Sequence, residues 1–249
     1  MNDVRDLIIA LEHVSKLYEM GNLTVPALTD ASLSIQSGEM VSIVGPSGSG
    51  KSTLMNIMGC LDVPTSGKYL LSNEDVSQMN DNRLAKIRNA QIGFIFQTYN
   101  LLPRLTALSN VELPLLYGDS RGSKARCVKA LERVGLAERV NHKPSELSGG
   151  EQQRVGIARA IVKQPTLILA DEPTGNLDSH SSNQIVAILQ DLNKVDNLTV
   201  VIVTHDLEVA NCTDRIISMR DGRIIDDSRV QNPIWLKTLK PDSVGDKRF

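Results

Sequence analysis

Residues 7 to 38 alternate apolar and polar positions, as in Ser32-Leu33-Ser34-Ile35. A two-residue period of this kind predicts half-buried antiparallel strands. The pattern then changes. Val41 to Val44, apolar but for Ser42, reads as a buried strand feeding a glycine-rich loop, and Ser52 to Cys60 continues as a helix. Lys68 to Leu71 and Ile92 to Phe96 read as further strands. From Leu101 to Val140 the pattern is helical, broken by Pro103 and Pro114, with a polar break over Gly118 to Ser123. Within that stretch Val128, Leu131 and Val134 fall on one helical face. Strand and helix alternate again through Leu167 to Ala170 and Val200 to Val203. Ile216 to Met219 and Arg223 to Ile225 flank Asp221-Gly222, a strong hairpin signal. Beyond Val230 no period is visible, and Trp235 is the residue that could anchor the tail.

These elements predict an α/β fold with an antiparallel β subdomain and a helical insertion. One domain would span residues 1–230. Residues 1–97 and 161–230 would form the core with its antiparallel part, 98–160 the helical subdomain, and 231–249 a tail.

Composition narrows the role more than the fold. The 249 residues are 41% apolar and 22% charged, which is ordinary for a globular chain. A net charge of −2 supplies no global attraction to nucleic acid or to an anionic membrane. Apolar runs such as Val200 to Val203 are strand-sized, so a membrane role would be borrowed from a partner. Met1 to Asp6 is polar and mixed in charge, unlike a signal peptide. Cys60, Cys127 and Cys212 are scattered, odd in number and never at a metal-ligand spacing, so they read as reduced thiols.

Three stretches carry chemistry. The first is Gly45-Pro46-Ser47-Gly48-Ser49-Gly50-Lys51-Ser52, followed by Thr53, which fits G-x-x-x-x-G-K-[ST]. Its glycines let backbone N–H groups converge on phosphate oxygens at the start of a helix. Lys51 would neutralise the β- and γ-phosphates, and the Ser52 hydroxyl would ligate Mg²⁺. The second is Asp171-Glu172, at the end of a buried apolar run, where open α/β sheets place their ligands. Asp171 would hold the metal, and Glu172 would reach the water that attacks the γ-phosphate. The third is Leu147-Ser148-Gly149-Gly150-Glu151. Ser148 and Glu151 match a helix capping box, and Val155, Ala158 and Ile161 would face inward from the helix that follows. A capped helix alone accounts for that pattern. Gly149 and Gly150 at a helix N-terminus also suit an anion. Within one subunit such a site would duplicate the phosphate loop; against a partner's nucleotide it would not.

With these three motifs the chain resembles the ATPase subunit of an ATP-binding cassette (ABC) transporter over nearly all of residues 7 to 228. The resemblance implies ATP and Mg²⁺ as cofactors, and a homodimer that closes around two Mg·ATP. Ser148, Gly149 and Gly150 of one copy would complete the other's site. It further implies that Tyr18 stacks on adenine and that Gln97 is the lid glutamine that touches Mg²⁺. His205, after Val200-Val201-Ile202-Val203-Thr204, would be the switch histidine that contacts the γ-phosphate and holds Glu172. Asp178, in Gly175-Asn176-Leu177-Asp178, would lie where the chain crosses the dimer interface. Position 151 carries Glu where the commonest family motif has Gln, and the cap tolerates either.

Further stretches resemble the macrolide-export and lipoprotein-release branch, the MacB/LolD type. They are Gly59 to Asp62, Phe96 to Pro103, Asn110 to Pro114 and His142-Lys143-Pro144. That branch implies an integral membrane permease, typically of four spans with a large extracytoplasmic domain, and in some systems a periplasmic adaptor. The motor would then be cytoplasmic, peripheral on the inner face of the membrane. Leu101, Leu102 and Pro103 fall where the helical subdomain would dock the permease. The alternative is a regulatory ATPase, coupled to a transporter-like membrane protein that controls cell-wall or division enzymes and moves no solute. Members acting on DNA or ribosomes carry long coiled coils or two cassettes, and neither is present here, so nucleic acid is not an expected partner.

Overall fold

A computed structural model of the protein describes residues 7–21, 23–117 and 122–236. Met1 to Asp6, most of the polar break expected from Gly118, and the tail from residue 237 lie outside the described residues.

The alternating segment forms two long strands, β1 (Leu7–Met20) and β2 (Leu23–Gln36), paired antiparallel. The next segment forms β3 (Met40–Val44), buried at all five positions, Ser42 included, and α1 (Lys51–Met58) follows the glycine-rich loop. Next come β4 (Ser66–Leu71), the short β5 (Glu74–Asp75), α2 (Asp81–Gln91) and β6 (Ile92–Ile95). The insertion contributes α3 (Ala107–Glu112), α4 (Ser123–Arg133) and α5 (Gly149–Ile161). The core resumes with β7 (Leu167–Asp171), α6 (Ser179–Asp196), β8 (Thr199–Val203), α7 (Leu207–Ala210), β9 (Arg215–Arg220) and β10 (Arg223–Arg229).

Two sheets result. The antiparallel one has the order β2-β1-β4-β5; the larger one runs β10-β9-β3-β8-β7-β6. In the larger sheet β6, β7, β8, β3 and β9 are mutually parallel, and β10 closes one edge antiparallel to β9. Asp221 and Gly222, which join β9 to β10, have φ of 49° and 74°, the two positive values that a tight primed turn requires.

The parallel strands are apolar on both faces because both faces are covered. Val41, Ile43, Leu167, Leu169, Val201 and Val203 pack into one cluster with α1 and the antiparallel sheet. Their neighbours Met40, Ile168, Ala170, Val200 and Ile202 point the other way, into a cluster shared with α3, α4, α5 and α6. Single-residue alternation within each strand thus serves two cores.

Three expectations need correction. The buried stripe of α4 is Cys127, Ala130, Leu131 and Val134, an i, i+3, i+4, i+7 set, and Val128 is only half-buried. On α5, Val155 and Ala158 are fully buried, but Ile161 is half-buried at the helix end. α2 was not foreseen: among its residues only Leu84 is buried, so it has no apolar stripe to detect.

Candidate active site

The glycine-rich loop turns sharply between β3 and α1. Gly50 has φ 96°, and a Cβ there would lie 2.6 Å from the Ala27 carbonyl, so both conformation and space demand glycine. Gly45 passes equally close to the backbone of β9, where a Cβ would meet the Met219 carbonyl at 2.3 Å. The Gly222 amide donates to the Ser49 carbonyl, so the β9–β10 turn braces the loop from outside. Lys51 Nζ donates to the carbonyls of Gly45 and Pro46, at 2.7 and 2.9 Å. Its ammonium is thereby held over the mouth of the loop. Pro46, Ser47, Gly48 and Ser52 are exposed there, whereas Ser49 is buried and its hydroxyl has no partner.

Asp171 ends β7, and Glu172 follows it in the left-handed region at φ 44°. Because β8 lies between β3 and β7, the end of β8 stands between the loop and these carboxylates. Thr204 and His205 occupy that position. His205 Nδ1 is 2.8 Å from one Glu172 oxygen, and the Thr204 hydroxyl donates to the other at 3.2 Å. The two partners differ in exposure: the His205 side chain is 73% exposed and that of Glu172 only 17%. The hydrogen bond and the charge of Glu172 raise the His205 pKa. Burial pushes the Asp171 carboxyl above its ordinary value, and the neighbouring Glu172 pushes it further, against the pull of Lys51. A carboxylate disfavoured in this way is one that a bound cation would relieve. Among the described residues no cluster of His, Cys, Asp or Glu forms a closed metal cage.

Gln97 lies just beyond β6 and is wedged against the segment after Glu172. The Asn176 side chain donates to the Gln97 carbonyl at 3.0 Å, and a Cβ at Gly175 would lie 2.7 Å from Gln97 Nε2. Tyr18 is half-buried, and its hydroxyl donates to Asp62 at 2.9 Å with Lys16 over its ring.

Ser148 caps α5 as expected, accepting from the Glu151 amide while Glu151 accepts from the Ser148 amide. Its surroundings are not those of the phosphate loop. A Cβ at Gly149 would approach the Tyr99 hydroxyl and Leu177, and one at Gly150 would meet Ser181. Ser181 in turn bonds Asp178, the N-cap of α6. Among the described residues no hydrogen bond or ion pair joins Ser148, Gly149 or Gly150 to residues 45–53. The molecule therefore presents two separate helix N-termini rich in glycine, one beside Lys51 and one beside Asp178.

The family pattern described as "ABC transporter" matches residues 28–175, more than half of the chain. The chain belongs to the ABC transporter family. It is 53% identical to the ABC transporter ATP-binding protein YknY of Bacillus subtilis, over 91% of this chain and 99% of that protein. It is also 49% identical to the macrolide export ATP-binding/permease protein MacB of Chlorobaculum tepidum, over 90% of this chain but only 35% of MacB. Among solved structures, the dimeric ADP- and Pi-bound post-hydrolysis state of the MJ0796 cassette superposes with a TM-score of 0.82 at 46% identity. That match covers 90% of this chain and 99% of the other. The chain is thus an ABC ATPase cassette, homologous to the ATP-binding part of MacB and to MJ0796.

Several cassette residues at the site went unnoticed in the sequence. Thr204 and Asn176 stood in the sequence only as neighbours of His205 and Asp178, with no role of their own. Gln153 offered a signal: it is fully buried yet polar, at an inward position of α5. Arg159, on the same helix, donates to the carbonyls of Tyr99 and Asn100.

Proposed function

We propose that the cassette is the motor of a MacB/LolD-type membrane system, and that two copies close around two Mg·ATP to drive a permease. The observation that carries the shared-site reading is the separation of Ser148–Gly150 from the phosphate loop of the same chain. A second anion-seeking helix end with no nucleotide of its own has a role if it meets the partner's γ-phosphate. The dimeric state of the MJ0796 cassette supports this arrangement.

Within each site Gly45, Ser47, Gly48, Ser49 and Gly50 would cradle the phosphates, with Pro46 shaping the turn, Thr53 extending the helix and Tyr18 against the adenine. Lys51 would exchange its two carbonyl partners for phosphate oxygens. Ser52, Asp171 and Gln97 would hold Mg²⁺, which when bound supplies charge neutralisation for the phosphoryl group. Glu172 would orient and deprotonate the attacking water, its carboxylate aimed by His205 and Thr204. Asp178 would hold the interface segment at the start of α6.

A permease contact is proposed for the groove of about 690 Å³ beside β6, α2 and the insertion. Its walls include Leu61, Phe94, Phe96, Pro114 and Tyr117. Among the described residues no helix is long and apolar enough to cross a membrane, so association would run through such a partner.

The test is Glu172→Gln. It should bind ATP, lose about 10²-fold or more of turnover, and accumulate as a dimer by light scattering. A variant that binds ATP yet stays monomeric at saturation would sink the shared-site reading.

A further inference from the structure

The helix that carries Ser148–Gly150 also grips two segments of its own subunit's site. Gln153, one turn into α5, is fully buried. Its single amide nitrogen donates to the Pro173 carbonyl at 2.7 Å and to the Phe96 carbonyl at 3.3 Å. Pro173 directly follows Glu172, and Phe96 directly precedes Gln97. One side chain thus uses both of its hydrogens on the backbone flanking two proposed site residues. The side-chain oxygen of Gln153 is buried and without a partner, so it accepts no hydrogen bond that would repay its desolvation. A glutamine held only for packing would be replaced at little cost by an apolar residue of similar volume; the donor end is what the site uses.

The grip extends along the same helix. Arg159 reaches the carbonyls of Tyr99 and Asn100, two consecutive residues at φ 51° and 49°. Gln97 is therefore held on one side by Gln153 and on the other by Arg159. From the far side Asn176, four residues after Glu172, bonds the Gln97 carbonyl itself.

We propose that Gln153 is a positioning residue for hydrolysis: it locks the Glu172 and Gln97 segments to α5, so that the attack geometry follows the helix whose N-terminus meets the partner. This rests on the shared-site reading and on the roles proposed above for Glu172 and Gln97. Its consequence is that ATP binding and dimer closure survive loss of the Gln153 donor, while the hydrolytic step does not.

The experiment is Gln153→Met in the otherwise unchanged chain, a swap that keeps shape and removes the donor. Turnover should fall about 10- to 100-fold, as for a misplacement near 1 Å, with KM for ATP essentially unchanged. Slow hydrolysis with intact closure should also let an ATP-bound dimer accumulate without any change at Glu172. Wild-type turnover, or loss of turnover together with loss of ATP binding, overturns the proposal. Glu172→Gln alone serves as the check on the dimer: if it fails to dimerise, the shared-site reading falls, and the split between turnover and KM still decides Gln153. Should Gln153→Met not fold, Gln153→Leu also removes both donors within an apolar side chain of similar volume. The same split is expected there, and an unchanged turnover overturns the proposal.

Discussion

Glu172 and His205 form an ion pair beside the adjacent ends of the parallel strands β3, β8 and β7. The hydrogen bond and charge of Glu172 raise the His205 pKa. A group raised in the folded state stabilises it fully below the unfolded value, and that contribution is lost as pH rises through the folded value. His205 is so exposed that its effect on stability is slight. Titrating the imidazole by NMR should give a midpoint above the ordinary value of about 6.5, and Glu172→Gln should bring it back towards that value. A midpoint that does not move would mean the carboxylate is not what holds the imidazole. At this scale the sequence was informative where a residue type is tied to a motif, as at Lys51, Asp171 and Glu172. It was silent where the contribution is one hydrogen bond from an unremarkable residue, as with Thr204 on Glu172. Gln153 was the intermediate case. A polar residue on an inward helical stripe is visible in sequence, but its two carbonyl partners come from segments 57 and 20 positions away.

Among the elements, α5 was legible at its start because a capping box is a local device, closed within four residues. An ion pair outside the box accounts for the glutamate at position 151. Arg139 Nε donates to the Glu151 carboxylate at 3.2 Å, an interaction a glutamine would weaken. Burial pushes this carboxyl up, but hydrogen bonds from Ser148 and the charges of Arg139 and Arg154 outweigh it and leave the pKa lowered. A lowered carboxylate stabilises the fold above its unfolded value and loses that contribution as pH falls through the folded one. Glu151→Gln should therefore cost less than about 1 kcal/mol at neutral pH, or no more than about 4 °C in Tm. The difference from wild type should close as pH drops below about 4, and turnover should persist because the cap remains. A Tm gap that widens in acid would refute the ion-pair explanation. α2 shows the opposite limit. Its N-cap Asn80 accepts from the Arg83 amide, but a helix with one buried residue advertises no period. The insertion is less regular than its helical pattern suggests, because Pro114 and Pro144 sit in the short 3₁₀ turns Leu113–Tyr117 and Pro144–Glu146 and Pro103 in a plain turn.

At the scale of the whole molecule, the six-stranded sheet separates two cores, and the last described segment fastens onto the helix side of it. Residues 231–236 are neither strand nor helix, so they show no period; side chains and single backbone groups hold them. Gln190 of α6 is buried and donates to the carbonyls of Cys212 and Ile234, while its oxygen accepts from the Leu236 amide. The Ile234 amide reaches the Asn211 carbonyl at the end of α7, Lys194 lies 4.6 Å from the centre of the Trp235 ring, and Leu236 packs on the core. Trp235 does contribute to the anchor, but Gln190 is its centre. Ending the chain after Val230 would strip Gln190 of two of its three partners and leave its buried oxygen without a donor. That should cost about 1–3 kcal/mol, at about 2–4 °C of Tm per kcal/mol for a chain of this size. Ending it after Leu236 keeps every contact named here and should retain that contribution. Thermal unfolding of the two truncations side by side separates the clasp from the residues beyond it. Equal Tm values for both would mean that the strap lies on α6 without holding it. Since none of the strap's contacts reaches Lys51, Glu172 or His205 directly, the shorter chain should still hydrolyse ATP at temperatures where it is folded.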